Sequence, residues 1–441
     1  MLTISVPFSS RARSSIRFKS GLGACLAGLL FALPVSASQA GQTLSLQQAV
    51  KSTLNENPDL KVFAFRQDAL NGQLQSAQLA PEYELSVSAD NIAGSDEYTG
   101  TDQAEWTIAL SSTLELGGQQ KARVALANSG LGRLEAQLQV DALRALGNVT
   151  RHYIQVLAAQ EKVALAQSSF KLAQQTLQQV RTRAQAGAAP KAEVLRAQAA
   201  SSHAQLQLSA QKQSLNALKM VLAAQWGDSE VTFTQVNGSL YEFGQDATFP
   251  QLYRRLKLNP AIEVFAAQER LQAAQLRLAQ TQSSGNIGWS LGVKQFAQSN
   301  SSALVAGINM PLFSGSRNTG ALQTAHAQLN EASAQKDAAL LALRTQLYQA
   351  YSNRQQAIHT VNTLRKDVVP TLTQALKETR KAYESGRYRY LDYVSAQQDL
   401  LSAQGALIDA GAAALTFGAE IEQLSAQPLA NGASHSQDLQ G

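Results

Sequence analysis

Residues 54–78, LNENPDLKVFAFRQDALNGQLQSAQ, run parallel to residues 256–280, LKLNPAIEVFAAQERLQAAQLRLAQ, with Pro58 and Pro260 separated by 202 positions. Further along, LELGGQQKARVALA (114–127) echoes LFSGSRNTGALQTA (312–325), and Gly187 and Gly386 lie 199 apart. At that last offset Glu193 stands with Asp392, Ala197 with Ala396 and Gln198 with Gln397. Matches in one order and at nearly one spacing describe a duplication of about 200 residues. A repeat of this kind constrains the fold more than any composition does, because every element has to be placed twice.

Each half reads alike. A helix of about 35 residues comes first (46–80 and 248–283), opened in both cases near an Asn-Pro. Two short alternating segments follow: YELSVSA (83–89) and AEWTIALSSTL (104–114) in the first half, IGWSLGVKQF (287–296) and ALVAGINMPLF (303–313) in the second. Ala104, Trp106, Ile108 and Leu110 share one face, opposed by Glu105, Thr107 and Ser111; Ile287, Trp289, Leu291 and Val293 oppose Gly288, Ser290, Gly292 and Lys294. This period of two predicts strands, and the Gly, Ser and Asp clusters between them predict hairpin loops (hairpins 81–116 and 285–314).

After each hairpin the pattern turns helical for about 70 residues (118–186 and 316–385), roughly 100 Å at the helical rise. Phe170, Ala173, Leu177 and Val180 form one seam, and Leu347, Tyr351, Ile358, Val361 and Val368 another, at spacings that favour coiled-coil packing. Pro370 predicts a kink or a break in the second long helix. Past Gly187 and Gly386 a helix of about 36 residues returns. Residues 227–247 and 427–441 show no periodicity and read as loops or short irregular elements. The duplication thus divides the chain into a first repeat at 38–247, a second at 248–426 and a polar tail at 427–441.

Residues 1–37 are set apart by the basic start Arg11, Arg13, Arg17 and Lys19 and by the apolar run GLGACLAGLLFALPV, the pattern of a secretory signal peptide cleaved after Ala37 or Ala40. Cys25 precedes most of that run, the wrong order for a lipoprotein box. Without this segment the 37 basic and 32 acidic residues become 33 and 32, so the basic pI gives no reason to expect nucleic acid. Cys25 is the single Cys, and its removal leaves no thiol, disulfide or Cys-based metal chemistry. The five His residues lie far apart, and no zinc spacing, nucleophile elbow or phosphate loop occurs, so an enzyme is not expected and no cofactor or resident metal is implied. No uninterrupted run of about 18 apolar residues follows the signal. A membrane span therefore has to be made of strands.

Four strands cannot close a barrel, and open edges cannot face lipid, because each unpaired backbone group there costs several kcal/mol. The strand lengths nevertheless suit an outer membrane. Pooling strands from several chains resolves the conflict.

The duplicated helix–hairpin–long helix–helix plan resembles the TolC family of outer-membrane efflux factors over essentially the whole mature chain. STLELGGQQKAR (112–123), PLFSGSRNTGAL (311–322) and YESGRYRYLDYVSAQQDLL (383–401) are similar to its CzcC-like branch, which serves heavy-metal cation efflux. The resemblance implies a mainly α protein with a small transmembrane β part: a homotrimer with a 12-stranded barrel in outer-membrane lipid, continued as a hollow periplasmic α-barrel. It implies a passive exit duct working with an inner-membrane RND-type pump and a periplasmic adaptor. A duct for drugs or for type I secretion is the alternative within the class, and a soluble periplasmic coiled-coil scaffold the alternative outside it.

In such proteins the helix tips close the periplasmic end, held by a Tyr, basic side chains and a ring of Asp. Tyr383, three residues before Gly386, and Asp392, six after it, match; a second acidic position falls on Ser395, which cannot supply it. Glu193 is the repeat counterpart of Asp392, and Gly187 and Gly386 mark the two turns. Asp392 reads either as one of three carboxylates around an axis or as the cap of the helix restarting after Gly386. Arg387 and Arg389 read as gate partners or as adaptor contacts, and Trp106 and Trp289 as membrane-interface aromatics.

Overall fold

The computed structural model describes residues 42–92, 94–244, 247–312 and 314–427. The signal segment with Cys25 and the tail from residue 428 lie outside the described residues. A short strand β1 (Gln42–Leu44) leads into α1 (Leu46–Glu56) and α2 (Pro58–Gln78). The first hairpin is β2 (Glu84–Asp90) and β3 (Glu105–Leu114), followed by the 67-residue α3 (Gln119–Gln185) and by α4 (Lys191–Ala223). Then come β4 (Phe233–Val236), α5 (Phe249–Leu256), α6 (Pro260–Gln282) and the second hairpin, β5 (Ile287–Phe296) and β6 (Ser301–Asn309). The chain ends in α7 (Ser314–Arg317), α8 (Thr319–Thr363), α9 (Val369–Glu384) and α10 (Tyr390–Ser425).

The expected single helix at the start of each half is two helices. Pro58 and Pro260 have no N–H to give to the preceding turn, so the helix stops there and restarts. Asn57 caps the restart by accepting from the Asp59 and Leu60 amides, and Asn259 does so for Ala261. Both Asn side chains are also donors: the Asn57 amide reaches the Gln225 carbonyl at 2.7 Å, and Asn259 the Leu424 carbonyl at 2.8 Å. Each break is therefore stitched to the end of the returning helix in its own half.

Pro370 does not stop the second long helix. The backbone widens into one π turn, Leu364–Val368, and runs on as α9, so the missing N–H is absorbed by a local change of winding. Strand β6 ends at Asn309 and not at residue 313, just before Met310 and Pro311. The segment 227–247 is not wholly irregular: β4 pairs in parallel with β1, and the Tyr153 hydroxyl lies between the carbonyls of Leu44 and Asn237. Three- and four-residue strands are too short to show a period. Around them lies a core built from Ala49, Val149, Val156, Leu222 and Trp226, midway along α3.

The two hairpins join into one antiparallel sheet of order β2–β3–β5–β6. The register aligns Val87, Ile108, Val293 and Leu304 in one row and Leu85, Leu110, Leu291 and Ala306 in the next, all on one face. The reverse face carries the rows Glu84, Ser111, Ser290, Gly307 and Ser88, Thr107, Lys294, Ala303. One side of the sheet is thus apolar and exposed and the other polar. Among the described residues, β2 and β6 are its unpaired edges.

One helix, α10, is long and apolar enough by composition to cross a membrane. It lies instead along α3 and α8, burying Leu400, Ile408, Ala414 and Ile421 in the bundle.

Candidate functional site

Far from the sheet, α3 turns into α4 at Gly187, and α9 turns into α10 at Gly386. Both glycines have positive φ, +74° and +76°, which lets the reversed chain satisfy the last carbonyls. Ala188 N–H donates to the Arg183 carbonyl and Gly187 N–H to that of Ala184; Arg387 and Gly386 repeat this onto Ala382 and Tyr383. Each corner is a Schellman turn.

The helices restart differently. Arg389 is the N-cap of α10, and its backbone N–H donates to Asp392 Oδ2 at 3.1 Å, the half of a capping box open to an N-cap side chain that can only donate. The guanidinium of Arg389 adds contacts of 3.3 Å to both oxygens of Asp392. These donors hold the Asp392 carboxyl below its usual range, the Arg389 side chain contributing most. The cap reading of Asp392 is therefore realised within one chain. In α4 the N-cap is Pro190, which has no N–H, so Glu193 at the equivalent position has no box to close. Its carboxylate lies 3.5 Å from the Tyr383 hydroxyl of the other corner.

Tyr383 is not a rim residue; it is 2% exposed, at the centre of the tip. Its ring stacks on Tyr393 at 5.4 Å and meets Tyr390 edge-on at 6.4 Å, with Val180 and Ala197 closing the cluster. Burial pushes its hydroxyl up from the ordinary tyrosine value, and the charge of Glu193 pushes the same way.

Arg183 joins the corners. Its guanidinium sits 4.5 Å above the Tyr383 ring, donates to the carbonyls of Tyr383 and Glu384 at the end of α9, and reaches Ala188 O in its own turn. A cation is favoured there because two helix C-termini converge on it. Of the residues singled out from sequence, the fold brings Tyr383 and Glu193 together and pairs Arg389 with Asp392. Arg387 stays exposed, bonded through Nε to Ser385. Sequence reading missed Arg183, Tyr390 and Tyr393. The repeat offset held the signal: 199 positions from Arg183 stands Ala382, and 199 before Tyr383 stands Ala184. Each large group stands where the other half has a small residue at the equivalent repeat position. Among the described residues no cluster of His, Cys, Asp or Glu is placed to hold a metal ion.

Trp106 and Trp289 are on the apolar face of the sheet, toward opposite ends. Trp106 pairs with Gln295, six residues along β5 from Trp289, a separation of about 20 Å at the strand rise. Tyr83 packs edge-on against Trp289, ring centres 6.3 Å apart, at the helix-proximal end.

Comparison with known proteins agrees with this architecture. The cobalt-zinc-cadmium resistance protein CzcC of Cupriavidus metallidurans is 26% identical over 372 residues, covering 84% of this chain and 87% of that protein. The pyoverdine export outer membrane protein OpmQ of Pseudomonas putida is also 26% identical, over 81% of each chain. The crystal structure of the outer membrane protein VceC from Vibrio cholerae superposes with a TM-score of 0.69, at 20% identity, over 87% of this chain and 96% of that one. At that identity the likeness is one of fold, the duplicated TolC-like plan. The outer membrane efflux protein family matches residues 49–227 and 252–427, and it is a family of channels, not of enzymes. With both halves matched, this chain belongs to the outer membrane efflux protein family.

Proposed function

We propose that the chain is the outer-membrane exit duct for heavy-metal cations in a three-part efflux system, joined to a periplasmic adaptor and an inner-membrane RND-type pump. The observation that carries the duct is the sheet: four strands with a continuous apolar face and two unpaired edges. Such edges are untenable in lipid unless copies of the chain close them, and three copies give a barrel of twelve strands. The apolar band between Trp106 and Trp289 then spans the hydrocarbon region, with both tryptophans at its interfaces. The helices continue the passage into the periplasm, and the two corners form its inner end. There Gly187 and Gly386 set the turns, Tyr383 and Glu193 couple the corners, and Asp392 with Arg389 braces the start of α10. Arg387, exposed and held only through Nε to Ser385 among the described residues, presents its charge to a partner. The metal cargo rests on the likeness to CzcC; the likeness to OpmQ supports the competing reading, a duct for an organic export substrate.

Deleting the gene in its host and restoring it on a plasmid separates these readings. The expected result is lowered tolerance to cobalt, zinc and cadmium salts, restored by the wild-type chain, with the protein recovered in detergent-extracted outer membranes and forming pores in planar bilayers. Unchanged metal tolerance with lost export of an organic chelator would overturn the cargo. Recovery in the soluble periplasm without detergent would overturn the duct.

A further inference from the structure

The corner region is far more basic than the rest of the chain. Within twelve residues of Gly187 or Gly386 lie nine Lys or Arg and four Asp or Glu, a balance of +5 in a chain whose residues 38–441 sum to +1. Widening the window to sixteen residues adds Lys171 and Asp399 and leaves the balance unchanged. Its acids are already engaged: Glu378 with Lys381, Glu384 with Arg380, Asp392 with Arg389, and Glu193 beside Tyr383. Among the described residues, Arg181, Lys191, Arg196 and Arg387 have no carboxylate partner, and all four are exposed. Packing corner against corner with further copies leaves the surplus in place, because every copy brings the same +5.

Two further observations say what fits. Leu195, Tyr388 and Leu391 are more than half exposed among these cations, which offers apolar anchors beside the charge. Between α3 and α9 runs a groove of about 510 Å³ lined by Gln175, Gln179, Thr182, Arg183, Arg380 and Glu384. Among the described residues the buried Nε–H of Arg183 has no acceptor there and the buried Oε1 of Gln179 no donor, so the groove offers an unmet donor and an unmet acceptor. A groove lined by amides, guanidiniums and the Glu384 carboxylate suits polar side chains of a protein and not an acyl chain, while the acidic preference comes from the surplus of exposed cations around it.

We infer that the tip is a docking surface for a protein partner whose docking end is acidic, rests on apolar anchors and is drawn in by charge. This identifies the chemistry of the adaptor-facing surface and rests on the duct reading above. Electrostatic complementarity at an exposed rim acts mainly on encounter rate and specificity and weakens with salt.

The test uses the full chain in lipid nanodiscs and two synthetic helical hairpins of equal leucine content, one bearing glutamates around its turn and the other lysines. Vesicles of phosphatidylglycerol and phosphatidylethanolamine are the third probe. The glutamate hairpin is expected to bind, with affinity falling about tenfold or more between low and high salt. R196E/R387E is expected to lose about tenfold in affinity, while R277E, the same charge change on α6, retains it. Equal binding of both hairpins, or unaltered binding by R196E/R387E, overturns the inference. Dependence on Arg196 and Arg387 seen only with the vesicles overturns it in favour of a membrane surface. Planar-bilayer conductance is read on the same preparations: a variant that conducts is folded, a wild type that conducts but ignores the acidic hairpin sinks only the docking, and one that does not conduct sinks the duct.

Discussion

The two helix corners have one backbone and opposite side chains. Both end in a Schellman turn on a left-handed glycine, yet the first contributes Arg183, Pro190 and Glu193 where the second has Ala382, Arg389 and Asp392. The second supplies Tyr383, Tyr390 and Tyr393 where the first has Ala184, Lys191 and Val194. Duplication made the corners equivalent, and divergence made them complementary. A cation from one now lies on a ring of the other, and a carboxylate freed by a proline meets the hydroxyl of that ring. The pair behaves as one locked unit in which neither corner is a spare copy.

The comparison is broken most severely at Tyr383. Tyr383→Ala removes a nearly fully buried ring together with its stacking on Tyr393, and a large aromatic truncated to Ala in a packed site costs about 3–5 kcal/mol. Amide exchange in 376–396 is expected to accelerate along with that in 177–197, because both corners lean on the same ring. Acceleration confined to the second corner would show that the first stands alone.

A smaller effect is expected from Arg183→Met, which keeps an apolar stem under the ring and removes the charge. The loss combines the cation–π contact with charge-assisted bonds to exposed carbonyls, about 2 kcal/mol in all. A double-mutant cycle with Tyr383→Leu should give a coupling of about 1 kcal/mol. Additive effects would mean that Arg183 serves its own turn only.

The fold was legible where the repeat amplified weak signals. Two strands of alternating residues are unconvincing alone, but the same pair recurring after an Asn-Pro helix in both halves pointed to a hairpin and, through the edge problem, to an assembly. The sheet register follows from that alternation, since a slip of one residue would turn Val87, Ile108, Val293 and Leu304 to the polar side. Strands β1 and β4 stayed hidden because their partners are about 190 residues apart and neither is long enough to alternate. At the tip, Gly386, Tyr383 and Asp392 were visible as a motif, but their roles were not. Burial of Tyr383 depends on α3, which motif reading never compared with it. That Asp392 caps a helix is settled by the backbone N–H of Arg389, and that Glu193 does not is settled by the lack of one at Pro190; both are properties of the backbone that residue types alone do not display.

That last contrast gives the finest test. Pro190 already has extended N-cap geometry, φ −74° and ψ 152°, so Ala fits its backbone and adds the one donor the first corner lacks. In Pro190→Ala the Glu193 carboxylate can turn back onto that N–H, as Asp392 does onto Arg389, and abandon a 3.5 Å contact with Tyr383. A capping interaction of about 0.5–2 kcal/mol opposes about 0.4–1 kcal/mol from the greater freedom of the unfolded chain, so net stability should move by no more than about 1.6 kcal/mol. The readout is the Tyr383 hydroxyl. Its folded-state pKa is raised, so the neutral ring stabilises the tip fully below the unfolded tyrosine value of 10.0, and that stabilisation is lost as pH rises through the folded value. With Glu193 turned away, one of the two main causes of the rise is gone, and the tyrosinate absorbance assigned by difference to Tyr383→Phe should appear at lower pH than in the wild type. Burial is the larger cause and persists, so the transition moves toward 10.0 without reaching it. A transition unchanged by Pro190→Ala would mean that Glu193 is held by Tyr383 itself and that the missing N–H is incidental.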